Sequence, residues 1–142
     1  MKIFFTSLLF FFAYIAFAQA DQLPAHEEFS WKYAEFVHVF RGKNWDAVCG
    51  FVTSTTKAGF GPNEEGCDGV RVVYGMEGQC WDEMMFALHQ GCKIKSSGNS
   101  INCAAPPQWS DEDIVYLGAR ASFTYSPETG EFTATHLICG GD

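Results

Sequence analysis

Hydrophobic positions recur along this chain with two periods, and the change of period divides it into a helical first part and an extended second part. Phe29, Tyr33, Phe36, Val37 and Phe40 fall at i, i+4, i+7, i+8 and i+11, a single apolar stripe that predicts a helix from about Ala25 to Phe40. Glu27 and Glu28 sit in its first turn and Arg41 at its end, each favoured by the helix dipole there. Gly42 closes it. Asn44 is suited to cap a short second helix, Trp45 to Cys49, ended by Gly50. A third helix is predicted over Gln79 to Gln90, where Trp81, Met84, Met85 and Leu88 share one face and Gly91 follows.

The intervening and following stretches change to a period of two. Phe51-Val52-Thr53 and Lys57 to Phe60 are short candidate strands around the turn Gly61-Pro62-Asn63, and the β-branched run Val70 to Tyr74 predicts extended backbone. Small or apolar residues alternate with polar ones on both sides of Ser97-Gly98. With those two as the turn, Ile94 faces Ile101 and Cys92 faces Cys103. Directly opposed residues bring their Cβ atoms within about 4.5–5.5 Å, close to disulfide reach. Beyond Pro106-Pro107, the longest strand runs from Ile114 to Tyr125, with Val115, Leu117, Ala119, Ala121, Phe123 and Tyr125 on one face. Pro127 to Gly130 makes a hairpin loop, and strict alternation then gives Phe132, Ala134, His136 and Ile138 one shared face. Pairing Tyr125 with Phe132 sets Ala121 opposite His136. Helices first and a meander afterwards is α+β architecture, with three helices and an antiparallel sheet.

The first twenty residues have a different logic. Lys2 is their lone charge, Ile3 to Phe17 is almost wholly apolar, and Ala18-Gln19-Ala20 has the small-x-small form of a signal-peptidase site. A bilayer span needs roughly 20 apolar residues, more than this run offers. The expectation is a signal peptide over 1–20, a single domain over 21–142, and a secreted product. All six cysteines fall in that domain: Cys49, Cys67, Cys80, Cys92, Cys103 and Cys139. An even number in a short exported chain predicts three disulfides, of which spacing identifies only Cys92–Cys103. No Cys-x2-4-Cys knuckle exists, which argues against zinc, and no His pair at helical spacing suggests another metal. Without Lys2, eight Lys and Arg remain against seventeen Asp and Glu, a charge of −9. Nucleic acid and anionic membrane surfaces are therefore disfavoured as partners, and no cofactor is expected.

The stretch Phe40-Arg-Gly-Lys-Asn-Trp-Asp-Ala-Val-Cys-Gly-Phe51 resembles the turn and second helix of the nuclear transport factor two-like superfamily. Members often carry Asp or Asn, an aromatic residue, then Asp-Ala-Val or Asp-Ala-Leu, followed by a β-rich segment, a third helix and a long meander. Small exported members have a Cys before the third helix and another near the C-terminus, as Cys67 and Cys139 are here. The resemblance implies a cone, a strongly curved sheet wrapped around the first helix with a pocket between them. It does not imply one activity, since ketosteroid isomerases, scytalone dehydratases, polyketide cyclases and non-enzymatic binding or dimerising modules all share the shape. The isomerase-like Tyr and paired Asp have no counterpart in this sequence.

Candidate chemistry centres on His136, which strand alternation places among apolar neighbours beside the small Ala121 as a pocket acid, base or anchor. Tyr33, Phe36, Trp81, Met85 and Phe123 are the other pocket candidates, although a domain of this size needs such residues for its core. Asp46 suits the first turn of the second helix better than a pocket. His38 and His89 belong to helix ends, and His26 to the surface. The acidic stretches 63–68 and 111–113 lack calcium-loop spacing. Three functional classes follow. The first is a secreted non-enzymatic binding protein with a small apolar ligand or a sheet-mediated homodimer. The others are an isomerase or dehydratase acting on a small apolar substrate, and a disulfide-rich interaction protein with no pocket.

Overall fold

The computed structural model describes residues 27–75, 79–95, 98–107 and 118–139. The signal-peptide segment, His26, the acidic stretch 111–113 and the strand start at Ile114, Val115 and Leu117 lie outside the described residues. Within them the chain is α+β. The helices are α1 (Glu27–Arg41), α2 (Trp45–Cys49), α3 (Gly66–Tyr74) and α4 (Gln79–Gln90), and the strands are β1 (Val52–Lys57), β2 (Cys92–Ile94), β3 (Ser100–Ala105), β4 (Ala119–Ser126) and β5 (Glu131–Cys139). The strands form one sheet in the order β1-β5-β4-β3-β2. All neighbours are antiparallel except β1, which runs parallel to β5, so the sheet is mixed.

The two helices read from apolar stripes, α1 and α4, and the one read from its cap, α2, form where the sequence put them. Asn44 caps α2 through its side-chain oxygen, which accepts from the Ala47 amide at 3.3 Å, and Gly50 ends the helix. In α1 the stripe buries Phe29, Phe36 and Phe40 completely, while Trp31, on the opposite side, is 68 % exposed. At the end of α4, Gly91 lies so close to β3 that an added Cβ would stand 1.9 Å from the Ala104 carbonyl oxygen. Only glycine allows that approach.

The helix α3 corrects the expected strand at Val70 to Tyr74. Gly66 enters it at φ +64°, and the Gly69 amide donates to Glu65 O at 3.0 Å to open the helical ladder. A strand would have set Val70, Val72 and Tyr74 on one face. The helix instead buries Gly66, Gly69, Val70 and Tyr74 and turns Val72 outward. Spacings of three and four across this segment overrode the β propensity of its valines. The Lys57 to Phe60 strand is also corrected, since β1 stops at Lys57 and Ala58 to Glu64 form a loop folded back on itself. There the Ala58 and Gly59 amides donate to Glu64 O at 2.8 and 3.3 Å.

The cystines are Cys92–Cys103, Cys49–Cys67 and Cys80–Cys139, with Cα separations of 3.9, 5.1 and 5.5 Å. The first joins the register read from the sequence, Cys92 opposite Cys103 and Ile94 opposite Ile101. The second ties α2 to α3, and the third ties the start of α4 to the end of β5.

The hairpin between β4 and β5 holds the largest departure from expectation. Tyr125 pairs with Phe132 as alternation requires, and Phe123 with Ala134, but the next pair is Ser122 with His136. Thr135 is therefore an extra residue, a β-bulge, whose hydroxyl donates to Ser122 O at 3.1 Å. The bulge reverses the parity of everything after it. Phe132 and Ala134 point inward before it, Leu137 and Cys139 after it. His136 is exposed on the outer face, opposite Ser122 and not Ala121.

Candidate functional site

Five of the six pocket candidates converge between the helices and the inner face of the sheet. Phe36 and Phe123 are fully buried, with ring centroids 4.8 Å apart in an edge-on contact. Phe36 also meets Phe40 at 5.6 Å and Phe51 at 5.7 Å. Tyr33 packs edge-on against Phe123 at 5.3 Å, and its hydroxyl donates to Leu88 O at 2.6 Å. Burial raises the Tyr33 phenol well above the usual tyrosine range, so it stays protonated. Trp81 stacks on Phe40 at 5.3 Å, with the Lys43 ammonium 4.8 Å above its ring. Met85 is half-buried against the same cluster.

The interior these rings make is densely packed. A side chain with no solvent exposure touches no space large enough for a water molecule, and Phe29, Phe36, Phe40, Met84, Ala87, Phe123, Ala134 and Leu137 all have none. Aromatic contacts continue outward from Phe123 through Phe132 to Phe29 and Tyr125. Two interior hydroxyls are spent on structure: Tyr74 donates to Leu137 O, and Thr56 donates to Ala134 O at 2.6 Å. Thr56 is the one fully polar residue among the described buried ones. None of the described buried side chains is a carboxylate or imidazole. The half-buried rim formed by Tyr33, Trp81 and Met85 carries one committed hydroxyl and the Lys43 ammonium over Trp81, and Glu28 accepts from the Tyr125 hydroxyl at 2.8 Å.

His136, the sixth candidate, stands apart on the other side of the sheet. Its neighbours are Ser122 on β4, Thr135, whose hydroxyl is 3.1 Å from Nδ1, and Lys57, its register partner on β1. Lys57 is ion-paired with Glu65. Although the residue is exposed, the sheet shelters part of its ring. That partial burial, followed by the Lys57 charge, lowers its pKa below the ordinary histidine value. The neutral imidazole is the resting form at pH 7. The surrounding side chains are hydroxyls and an ammonium, and the Thr135 hydroxyl that meets the ring already donates to Ser122 O.

Asp46 takes the first-turn place expected of it and pairs with Arg71 of α3. That ion pair was not apparent from sequence, because α3 itself was read as a strand. The bulge did leave a readable trace. Phe132 and Ala134 are two apart, Leu137 and Cys139 are two apart, and Ala134 and Leu137 are three apart. A spacing of three inside an alternating run marks an inserted residue. Among the described residues no group of His, Cys, Asp and Glu could hold a metal ion, and no helix is long and apolar enough to cross a membrane. No protein-family model, curated protein or solved structure matches this chain.

Proposed function

We propose that this chain is a secreted, disulfide-locked, non-enzymatic binding domain of the nuclear transport factor two-like cone type, and that it meets its partner through its exterior. The observation that carries the reading is the ring-on-ring interior, where Phe36 and Phe123 are in contact and wholly buried. An isomerase or dehydratase needs an acid or base facing its substrate, and the one histidine considered for that task lies on the outer face. Export is supported by the leader-like first twenty residues and by three disulfides. The cone reading is supported by the order of elements, two helices and an edge strand followed by two more helices and a meander.

Native mass spectrometry of the protein recovered from the medium of expressing cells tests this reading in one measurement. The expected species begins at Asp21, carries the mass loss of three disulfides, and holds no small molecule. A retained apolar ligand would replace the reading with a pocket at the Tyr33–Trp81–Met85 rim. An intact leader or free thiols would overturn export. A homodimer would place the interface on the sheet, which remains compatible with exterior binding.

A further inference from the structure

We infer that Cys49–Cys67 is a thiol–disulfide exchange site, opened by a dithiol reductant while the other two cystines stay closed. Exchange requires an accessible sulfur to attack and a partner sulfur that leaves readily as thiolate. The three cystines differ on both counts. In Cys92–Cys103, Cys103 is 2 % exposed, and the Cys92 sulfur lies 3.3–3.4 Å from the Ala87 and Leu88 carbonyl oxygens at the negative end of α4. In Cys80–Cys139, Cys80 starts a helix, but the sulfur that would have to be attacked to release it belongs to the buried Cys139. Only Cys49–Cys67 joins two half-exposed cysteines and has its leaving sulfur in the first turn of a helix.

Two features beside Cys67 favour a thiolate, the N-terminus of α3 and the Arg71 cation. Glu65 at the N-cap of α3 makes no side-chain bond to the first-turn amides, so the helix's positive end is not satisfied by that residue. Arg71 lies four residues on, over the same turn of the helix face, and its guanidinium bridges to Asp46, three residues before Cys49 on α2. The cystine and the ion pair therefore span the same α2–α3 seam. Asp68, which faces solvent, also reaches Arg71 at 3.9 Å.

The chemistry closes without a further reactant. A thiolate of the dithiol attacks Cys49 Sγ, the Cys49–Cys67 bond breaks, and Cys67 departs as thiolate. The second thiol of the reductant, deprotonated, then attacks the reductant sulfur of the mixed disulfide. Cys49 leaves and takes up a proton, and the reductant ends as its own disulfide. Two electrons pass to the protein. Val48 of α2 and Val70 of α3 are both buried in the core and stay there while the cystine is open, so exchange is reversible. The cystine closes the segment that carries edge strand β1, and opening it frees that segment at one end.

The test uses the oxidised full chain with reduced thioredoxin at pH 7, acid quench at timed intervals, alkylation with N-ethylmaleimide, and peptide mapping. Cys49 and Cys67 are expected to be labelled together, about tenfold or more ahead of the other four. Equal or earlier labelling at Cys80–Cys139 or Cys92–Cys103 overturns the inference. Thioredoxin with its resolving cysteine replaced by serine should be trapped on Cys49, and trapping on any other cysteine refutes the mechanism. Arg71→Gln separates charge from packing. Loss of the cation should slow opening severalfold, whereas a seam merely loosened by the substitution would open faster. The inference does not depend on the partner of the domain, and a ligand found by native mass spectrometry would leave it untouched.

Discussion

Deleting Thr135 is the sharpest test of how the inner and outer faces of this sheet are set. In the folded chain Ala134 pairs with Phe123 and His136 with Ser122, leaving Thr135 unpaired between them. Removing that residue makes the ladder regular and changes the facing of nothing on either side. Leu137 remains inward opposite Ala121, and Cys139 inward opposite Ala119. The loss is the Thr135 bond to Ser122 O and its contact with His136, about 1 kcal/mol. Had β5 been a regular strand with Thr135 paired on the same inward face as Leu137 and Cys139, the same deletion would turn both of those side chains over. Leu137, now fully buried, would be exposed at a cost of about 2–3 kcal/mol. Cys139 would point away from Cys80, and loss of that cystine alone is worth about 4 kcal/mol. The two outcomes therefore differ by about 5 kcal/mol, against a total stability of about 5–15 kcal/mol for a domain. Urea unfolding with an unchanged slope, together with peptide mapping of Cys80–Cys139, reads the difference. A deletion variant that fails to form that cystine, or loses more than about 3 kcal/mol, would refute the bulge and the facing derived from it.

Three further outcomes follow from the same geometry. Phe36→Ala removes a fully buried ring from contact with Phe40, Phe51 and Phe123 and should cost about 3–5 kcal/mol in chemical denaturation. A loss under about 1 kcal/mol would mean the space beside it is open and the interior is a pocket. Replacing both cysteines of a cystine by alanine should cost more for the longer separation, about 4 kcal/mol for Cys80–Cys139 (59 residues) against about 3 for Cys92–Cys103 (11 residues); the reverse order would show strain or residual structure dominating. For His136 the folded pKa lies below the unfolded value near 6.5, so the unfolded state binds more protons between the two. Its contribution is present above that window and is lost as pH falls from about 6.5 through the folded pKa, and His136→Gln should flatten that part of the stability profile while leaving pH 7 stability within about 0.5 kcal/mol. An NMR titration placing His136 above 6.5 would reverse the sign.

Much of this architecture was legible because the local and long-range preferences agree. The stripes of α1 and α4 and the Asn44 cap are decided within one or two turns of helix, and the Cys92–Cys103 register is decided within one hairpin. The misses came where two signals conflict. At α3, β-branched Val70, Val72 and Val73 favour extension, whereas Cys67 reaching back to Cys49 and the burial of Val70 and Tyr74 one turn apart require a helix. Nothing local reveals the partner of a cysteine eighteen residues away. The parallel pairing of β1 with β5 is equally long-range. His136 was misplaced because alternation was carried through a run in which the apolar spacing changes from two to three.

That one change of spacing links the structural and functional readings. Cys80 lies at the start of α4, which packs on the inner face of the sheet, so its partner on β5 must face inward. Cys139 does so only because Thr135 is unpaired, and the same unpaired residue sends His136 outward. A chain with this cystine and this hairpin register cannot also keep His136 inside. Phe132 and Ala134 before the bulge, and Leu137 and Cys139 after it, fill the inner face with apolar groups and leave no polar side chain of β5 there. Chemistry that uses the His136 imidazole is then confined to the outer face, among Ser122, Thr135 and Lys57. The inner face is committed to holding α1 and α4, which supports the proposal that recognition uses the surfaces the core leaves free.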